Sequence, residues 1–89
     1  MRFIARVVVR PKAEVRDPQG EAVFAALRSL GHDVAEVRTG KEIDVTFEAP
    51  NERAARDAAA RMGDQLLANP VIESYEVEVE PAREQAGAR

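Results

Sequence analysis

Lys41-Glu42-Ile43-Asp44-Val45-Thr46-Phe47-Glu48-Ala49 alternates apolar and polar side chains with hardly a break. A β-strand sends successive side chains to opposite faces, so Ile43, Val45, Phe47 and Ala49 form an inward row and Glu42, Asp44, Thr46 and Glu48 an outward one. Immediately upstream, Val34 to Arg38 followed by Thr39-Gly40 reads as the first arm of a hairpin that returns along this strand. Two more segments share the two-residue period. Residues 2–10 put Phe3, Ala5, Val7 and Val9 on one face and Arg2, Ile4, Arg6, Val8 and Arg10 on the other. Near the end, Tyr75, Val77 and Val79 face inward, against Ser74, Glu76, Glu78 and Glu80.

Helices fill the gaps between these strands. Asp17 offers a side-chain oxygen to cap free N–H groups, Pro18 suits the first helical position, and Glu21 favours the positive helix end. Val23, Leu27 and Leu30, with Ala26 beside them, make an apolar stripe for a sheet to cover, and Gly31 suits the left-handed residue just past a helix terminus. A second helix follows Pro50-Asn51, with Ala55, Ala59, Met62 and Leu66 as its stripe and Asn69-Pro70 as its stop. Gly63 weakens it by roughly 1 kcal/mol relative to alanine.

The order β-α-β-β-α-β predicts an α+β, ferredoxin-like sandwich: a four-stranded antiparallel sheet with two helices on one face. In the usual strand order the first strand lies between the third and fourth. Arg2, Arg6 and Arg10 then run between two acidic rows on the open face, where opposite charges set register more than they add stability. A single domain over residues 1–80 is expected, followed by a flexible tail over 81–89, which lacks an apolar pattern.

Composition narrows the function classes. An 89-residue chain buries only about 60–65 % of its unfolded surface, so oligomerisation is a natural supplement, with the exposed sheet edges and the hairpin as candidate contacts. The absence of cysteine removes disulfides, thiolate metal sites and the nucleophile of a cysteine-dependent glutaminase. A formal charge of −3 and a pI near 5.2 give no reason to seek nucleic acid. Phe3 and Phe47 alternate inward, so no stacking platform for bases is expected either. No run near twenty apolar residues predicts a membrane span, and arginines interrupt the amino-terminal segment where a secretion signal would be apolar, so a cytoplasmic location is expected. His32 reads as a turn residue at a helix end, and the strand carboxylates as a polar face rather than a Mg²⁺ site. No phosphate-binding glycine loop occurs, and no catalytic, cofactor-binding or metal site is expected in this chain. Lys12, Arg38 and Lys41 flank strand ends, and Asp17 and Gln19 lie in a capped turn, positions from which polar side chains can meet another subunit.

Pro11-Lys12, Asp17-Pro18-Gln19-Gly20, Ala22-Val23, Leu27, Leu30-Gly31, Val37-Arg38, Gly40-Lys41 and Leu66-Leu67-Ala68-Asn69-Pro70-Val71-Ile72-Glu73 together resemble the PurS family. These proteins are the small subunits of phosphoribosylformylglycinamidine synthase. Arg16 departs from the family pattern, which commonly has a leucine before the Asp-Pro-Gln-Gly segment. The resemblance implies a non-catalytic subunit that associates with itself, as homodimer or homotetramer, and with a glutaminase subunit and an ATP- and Mg²⁺-using synthetase subunit. Such an assembly converts formylglycinamide ribonucleotide to formylglycinamidine ribonucleotide, and the small subunit is expected to bridge the two enzymes and assist ammonia transfer. The residues expected to contact other subunits are Lys12, Asp17, Gln19, Arg38 and Lys41. The competing expectation is a free-standing regulatory module that binds a small metabolite at an oligomer interface, since fold alone does not decide between them.

Overall fold

Residues 1–82 are described by a computed structural model of the chain. Three strands form its sheet: β1 (Arg2–Pro11), β2 (Lys41–Glu48) and β3 (Glu73–Pro81), in the order β2-β1-β3 and antiparallel throughout. The first strand is central, as in the expected order. Val7 stands opposite Ile43 and Val77, and Arg6 opposite Asp44 and Glu78. This register keeps every apolar row on one face. Phe3, Ala5, Val7 and Val9 are fully buried there, beneath helix α2 (Glu52–Met62). Ala55 and Ala59 are the buried residues of α2, and their single methyl groups allow the helix backbone to lie close to the sheet. Asn51 starts that helix by accepting the Ala54 N–H at 2.8 Å.

On the opposite face the Arg6 guanidinium lies among Glu42 (3.3 Å), Asp44 (3.6 Å), Glu78 (3.8 Å) and Glu80 (3.7 Å). Cross-strand charge pairs of this kind contribute about 0.2–1 kcal/mol each, so they specify register rather than supply most of the stability. Arg2 pairs with Glu48 in the same way.

Among the described residues the sheet has three strands, and the expected fourth is not one of them. Val34 to Arg38 runs as irregular chain, and no hairpin forms at Thr39-Gly40. The reason is a competing set of partners. Thr39 donates its N–H to the Asp17 carboxylate, and Arg38 donates to the Lys12 and Val15 carbonyls, so the segment is drawn toward the loop after β1 instead of returning beside β2. Gly40 passes so close to β1 that a Cβ there would sit 2.6 Å from the Val9 carbonyl oxygen. Helix α1 (Pro18–Ser29) forms where the capping signals place it, and Gly31 takes the left-handed conformation (φ 96°) that ends it. It does not, however, cover the sheet with α2. Leu30 is 75 % exposed and Val23 38 %, and Gly20 is the only buried residue of the helix.

A second correction concerns the end of α2. From Gly63 to Leu67 the chain winds as a π-helical turn, closed by the Ala68 N–H donating to the Gly63 carbonyl at 3.0 Å. The wider turn rotates later residues off the 3.6-residue stripe. Leu66 is consequently 81 % exposed rather than inward, and Ala68 is buried with Val7 and Val9. Gly63 is there for space, because a Cβ would lie 2.6 Å from the Tyr75 ring. The Tyr75 hydroxyl hydrogen is shared between the Asp64 carboxylate (2.7 Å) and the Ala60 carbonyl (3.0 Å). That carboxylate raises the Tyr75 pKa, so the hydroxyl remains a donor. The expected tail over 81–89 begins inside β3, which runs to Pro81, and beyond Ala82 it lies outside the described residues.

Candidate assembly site

Of the residues singled out by sequence, Asp17 and Gln19 lie at the start of α1 and Arg38 is bonded to the loop before it, whereas Lys12 follows the end of β1 and Lys41 opens β2. Asp17 is the capping residue of that helix and accepts the Gly20 N–H on Oδ1 at 3.1 Å. The same carboxylate reaches 22 residues along the chain. Oδ2 accepts the Thr39 N–H at 2.7 Å, and Oδ1 also accepts the Thr39 hydroxyl at 2.8 Å. Asp17 is only 6 % exposed, so it is an internal tie and not an outward-facing contact. Beside it, Arg38 Nη2 donates to the carbonyls of Lys12 (3.0 Å) and Val15 (3.1 Å). Two adjacent residues, Arg38 and Thr39, thereby fasten the arm formed by residues 30–40 to the loop between β1 and α1.

The other expected contact residues keep their side chains outward. Gln19 and Lys41 are exposed, and Lys12 lines a shallow depression of about 290 Å³ with Asp64, Pro70, Glu73 and Tyr75. Arg16, where a leucine was expected from the family pattern, forms a two-pronged ion pair with Glu21 on the outside of the first helical turn. Between α1 and the arm lies an open cleft of about 250 Å³ lined by Glu21, Phe24, Ala35, Glu36, Val37 and Arg38. Arg28 spans the far end, stacking over Phe24 at 5.7 Å and donating to the Val34 carbonyl at 3.2 Å.

Sequence reasoning missed two participants. Thr39 read as a turn residue, and nothing local announces that a carboxylate 22 positions earlier captures it. Leu66, Val71 and Ile72 are exposed on the surface, and the signal that could have found the last two is an apolar pair just after Asn69-Pro70 with no periodic stripe to join.

Among the described residues no group of three or more His, Asp or Glu side chains could hold a metal ion. Asp17 is fully engaged as an acceptor, and His32 lies exposed at the end of α1, where its backbone N–H donates to the Leu27 carbonyl at 3.0 Å.

The Asp17 carboxyl is held below the usual carboxylate range, first by the Thr39 backbone N–H, then by the Gly20 N–H, with the Thr39 hydroxyl and Arg38 adding to both and burial opposing them. Glu21, held low by Arg16, titrates next to it. A carboxyl that binds its proton less readily in the native state than in the unfolded state stabilises the fold fully above the ordinary aspartate pKa of about 3.9, and that stabilisation is lost as pH falls through the lowered native value. The Thr39 amide resonance is therefore expected to stay unchanged from pH 7 to pH 5 and to move only in more acid solution. A Thr39 transition centred near pH 6 would exclude the tie.

The sequence model of PurS, described as phosphoribosylformylglycinamidine (FGAM) synthase, matches residues 4–81. The chain is 48 % identical over 78 residues to the phosphoribosylformylglycinamidine synthase subunit PurS of Synechocystis sp., covering 86 % of this chain and 78 % of that one. Its fold superimposes on PurS of Thermus thermophilus with a TM-score of 0.86 at 42 % identity, over 93 % of this chain and all of the other. A chain in the PurLQS structure of Thermotoga maritima matches with a TM-score of 0.83 at 36 % identity, over 90 % of this chain and 99 % of that one. Matched by the family model from residue 4 to residue 81 and nearly half identical to a curated relative, the chain belongs to the PurS family of phosphoribosylformylglycinamidine synthase subunits.

Proposed function

We propose that this chain is the bridging subunit of its synthase, holding a glutaminase subunit against a synthetase subunit that uses ATP and Mg²⁺, in the cytoplasm, and assisting ammonia transfer between them. The likeness to a chain of the T. maritima PurLQS assembly carries this reading. The physical role is geometric. Ammonia released into bulk water is protonated or diluted, so docking two active sites through a shaped adaptor raises delivery by proximity and exclusion of water. An adaptor needs surfaces, and Lys12, Gln19, Arg38 and Lys41 supply polar contacts in this reading.

The adaptor works as a homo-oligomer in this reading. The apolar side of α1 is uncovered at Val23 and Leu30, and the inward row of β2, Ile43, Val45 and Phe47, is only half-buried because α1 does not lie over it. A second copy offers both complements at once. The outer edges of β2 and β3 have no strand beside them among the described residues, which adds backbone donors and acceptors for pairing.

Reconstitution tests the proposal. Glutamine-driven synthesis is expected to require this chain together with both larger subunits, and its omission to reduce glutamine-driven turnover at least tenfold while turnover on added ammonia changes far less. Equal loss with both nitrogen sources would assign the chain an activating role in the synthetase instead.

A further inference from the structure

We infer that Asp17 is a positioning residue for assembly: its carboxylate locks α1 and the 30–40 arm into one rigid unit, so that the uncovered surface of α1 meets a second copy of the chain already ordered. The inference rests on the adaptor reading above and adds to it the residue that sets the geometry of the docking element.

Most helices in small α+β domains take their orientation from the sheet beneath them. Helix α1 lacks that support, since it packs on no strand to any extent and buries only Gly20. What fixes it is polar. Both Asp17 oxygens are used, binding the Gly20 N–H at the helix start and the Thr39 N–H and hydroxyl in the arm. Arg38 adds two bonds to the carbonyls of Lys12 and Val15, and Gly20 lets the Val37 carbonyl approach where any Cβ would collide. Docking is tightest when the binding conformation is already populated: apparent Kd equals intrinsic Kd divided by the competent fraction, so releasing the arm until one molecule in ten remains competent weakens binding tenfold.

Asp17→Asn tests this with little change of shape. One acceptor oxygen becomes an NH₂ group, which then faces an N–H or hydroxyl donor whichever way the amide turns. Wild type and variant are compared for hydrogen exchange of the arm amides in the isolated chain, for self-association by analytical ultracentrifugation, and for the concentration that half-saturates glutamine-driven turnover by the two larger subunits. The expected result is arm exchange at least tenfold faster with strand amides unchanged, a roughly tenfold higher half-saturating concentration, and a wild-type plateau. Thr39→Ser, which keeps both donors, is expected to behave as wild type.

Weakened assembly with arm protection intact would make Asp17 a direct contact and overturn the inference. Loosened arm amides with unchanged assembly, or a lowered plateau at saturation, would overturn it as well. Should wild type itself fail to support glutamine-driven turnover, the adaptor reading falls separately, and self-association of the variant still decides the role of Asp17. If Asp17→Asn does not retain its sheet by circular dichroism, Thr39→Ala, which removes only the hydroxyl bond, carries the same measurements.

Discussion

Phe3→Ala is expected to leave the purified chain largely unfolded at 37 °C, or to lower its urea midpoint severely at 25 °C. Phe3 is 1 % exposed and is among the largest fully buried side chains of the domain. It stands opposite Phe47 on one side and Pro81 on the other, at the end of the central strand. Truncating a buried phenylalanine costs about 3–5 kcal/mol, through lost transfer energy and the cavity left behind. Domains as a class have only about 5–15 kcal/mol in total, and one whose first helix buries almost nothing belongs near the lower end. The surroundings have little means of collapsing into the gap, because β1 is clamped between two strands and the nearest helix presents alanines. Urea unfolding followed by circular dichroism measures the effect, and a loss below about 1 kcal/mol would show that the Phe3 end of the sheet is not its mainstay.

Gly20→Ala is expected to spring α1 and the arm apart while sparing the sheet. In an unobstructed helix the substitution would be favourable by about 1 kcal/mol, since alanine is the best helix former and glycine among the worst. Here the added methyl would lie 2.7 Å from the Val37 carbonyl oxygen and collide with the Asp17 carboxylate as well. A backbone carbonyl cannot swing aside as a lysine tip can, so the overpacking cost, about 1–3 kcal/mol in crowded sites, overrides the propensity gain. The site of the damage is the informative part. Arm amides over residues 34–40 should exchange much faster, and self-association should weaken severalfold or more, with strand amides little altered. A variant with raised stability and a protected arm would show that the contact between Gly20 and Val37 relaxes freely.

The strands and both helix starts were legible because each is announced locally. Two-residue alternation at residues 2–10, 41–49 and 74–80 marks the three strands of the sheet, and Asp17-Pro18 and Pro50-Asn51 mark the helix beginnings. Family membership was legible too, from motifs whose order matters more than any one of them. The misreadings share a cause in long-range competition. Val34 to Arg38 has the composition of a strand, but its backbone follows the partners that Asp17 and the Lys12 and Val15 carbonyls offer to Thr39 and Arg38. Leu66 was placed inward by continuing a 3.6-residue period through Gly63, where the Tyr75 ring beneath the backbone favours a wider turn. The stripe of α1 was read correctly as apolar, yet nothing in one sequence says whether its cover comes from the same chain. Asp17 illustrates the limit for the site: its identity as a cap was visible, whereas its burial against Thr39 depends on folding.

The outer face of the sheet sets a rule for how copies can stack. Six carboxylates, Glu42, Asp44, Glu48, Glu76, Glu78 and Glu80, flank only three arginines there, and four of those acids crowd a single guanidinium. Two molecules brought together through that face would set like charge against like, so lateral piling into fibres meets an electrostatic barrier that salt lowers. Any self-association is thereby steered away from that face.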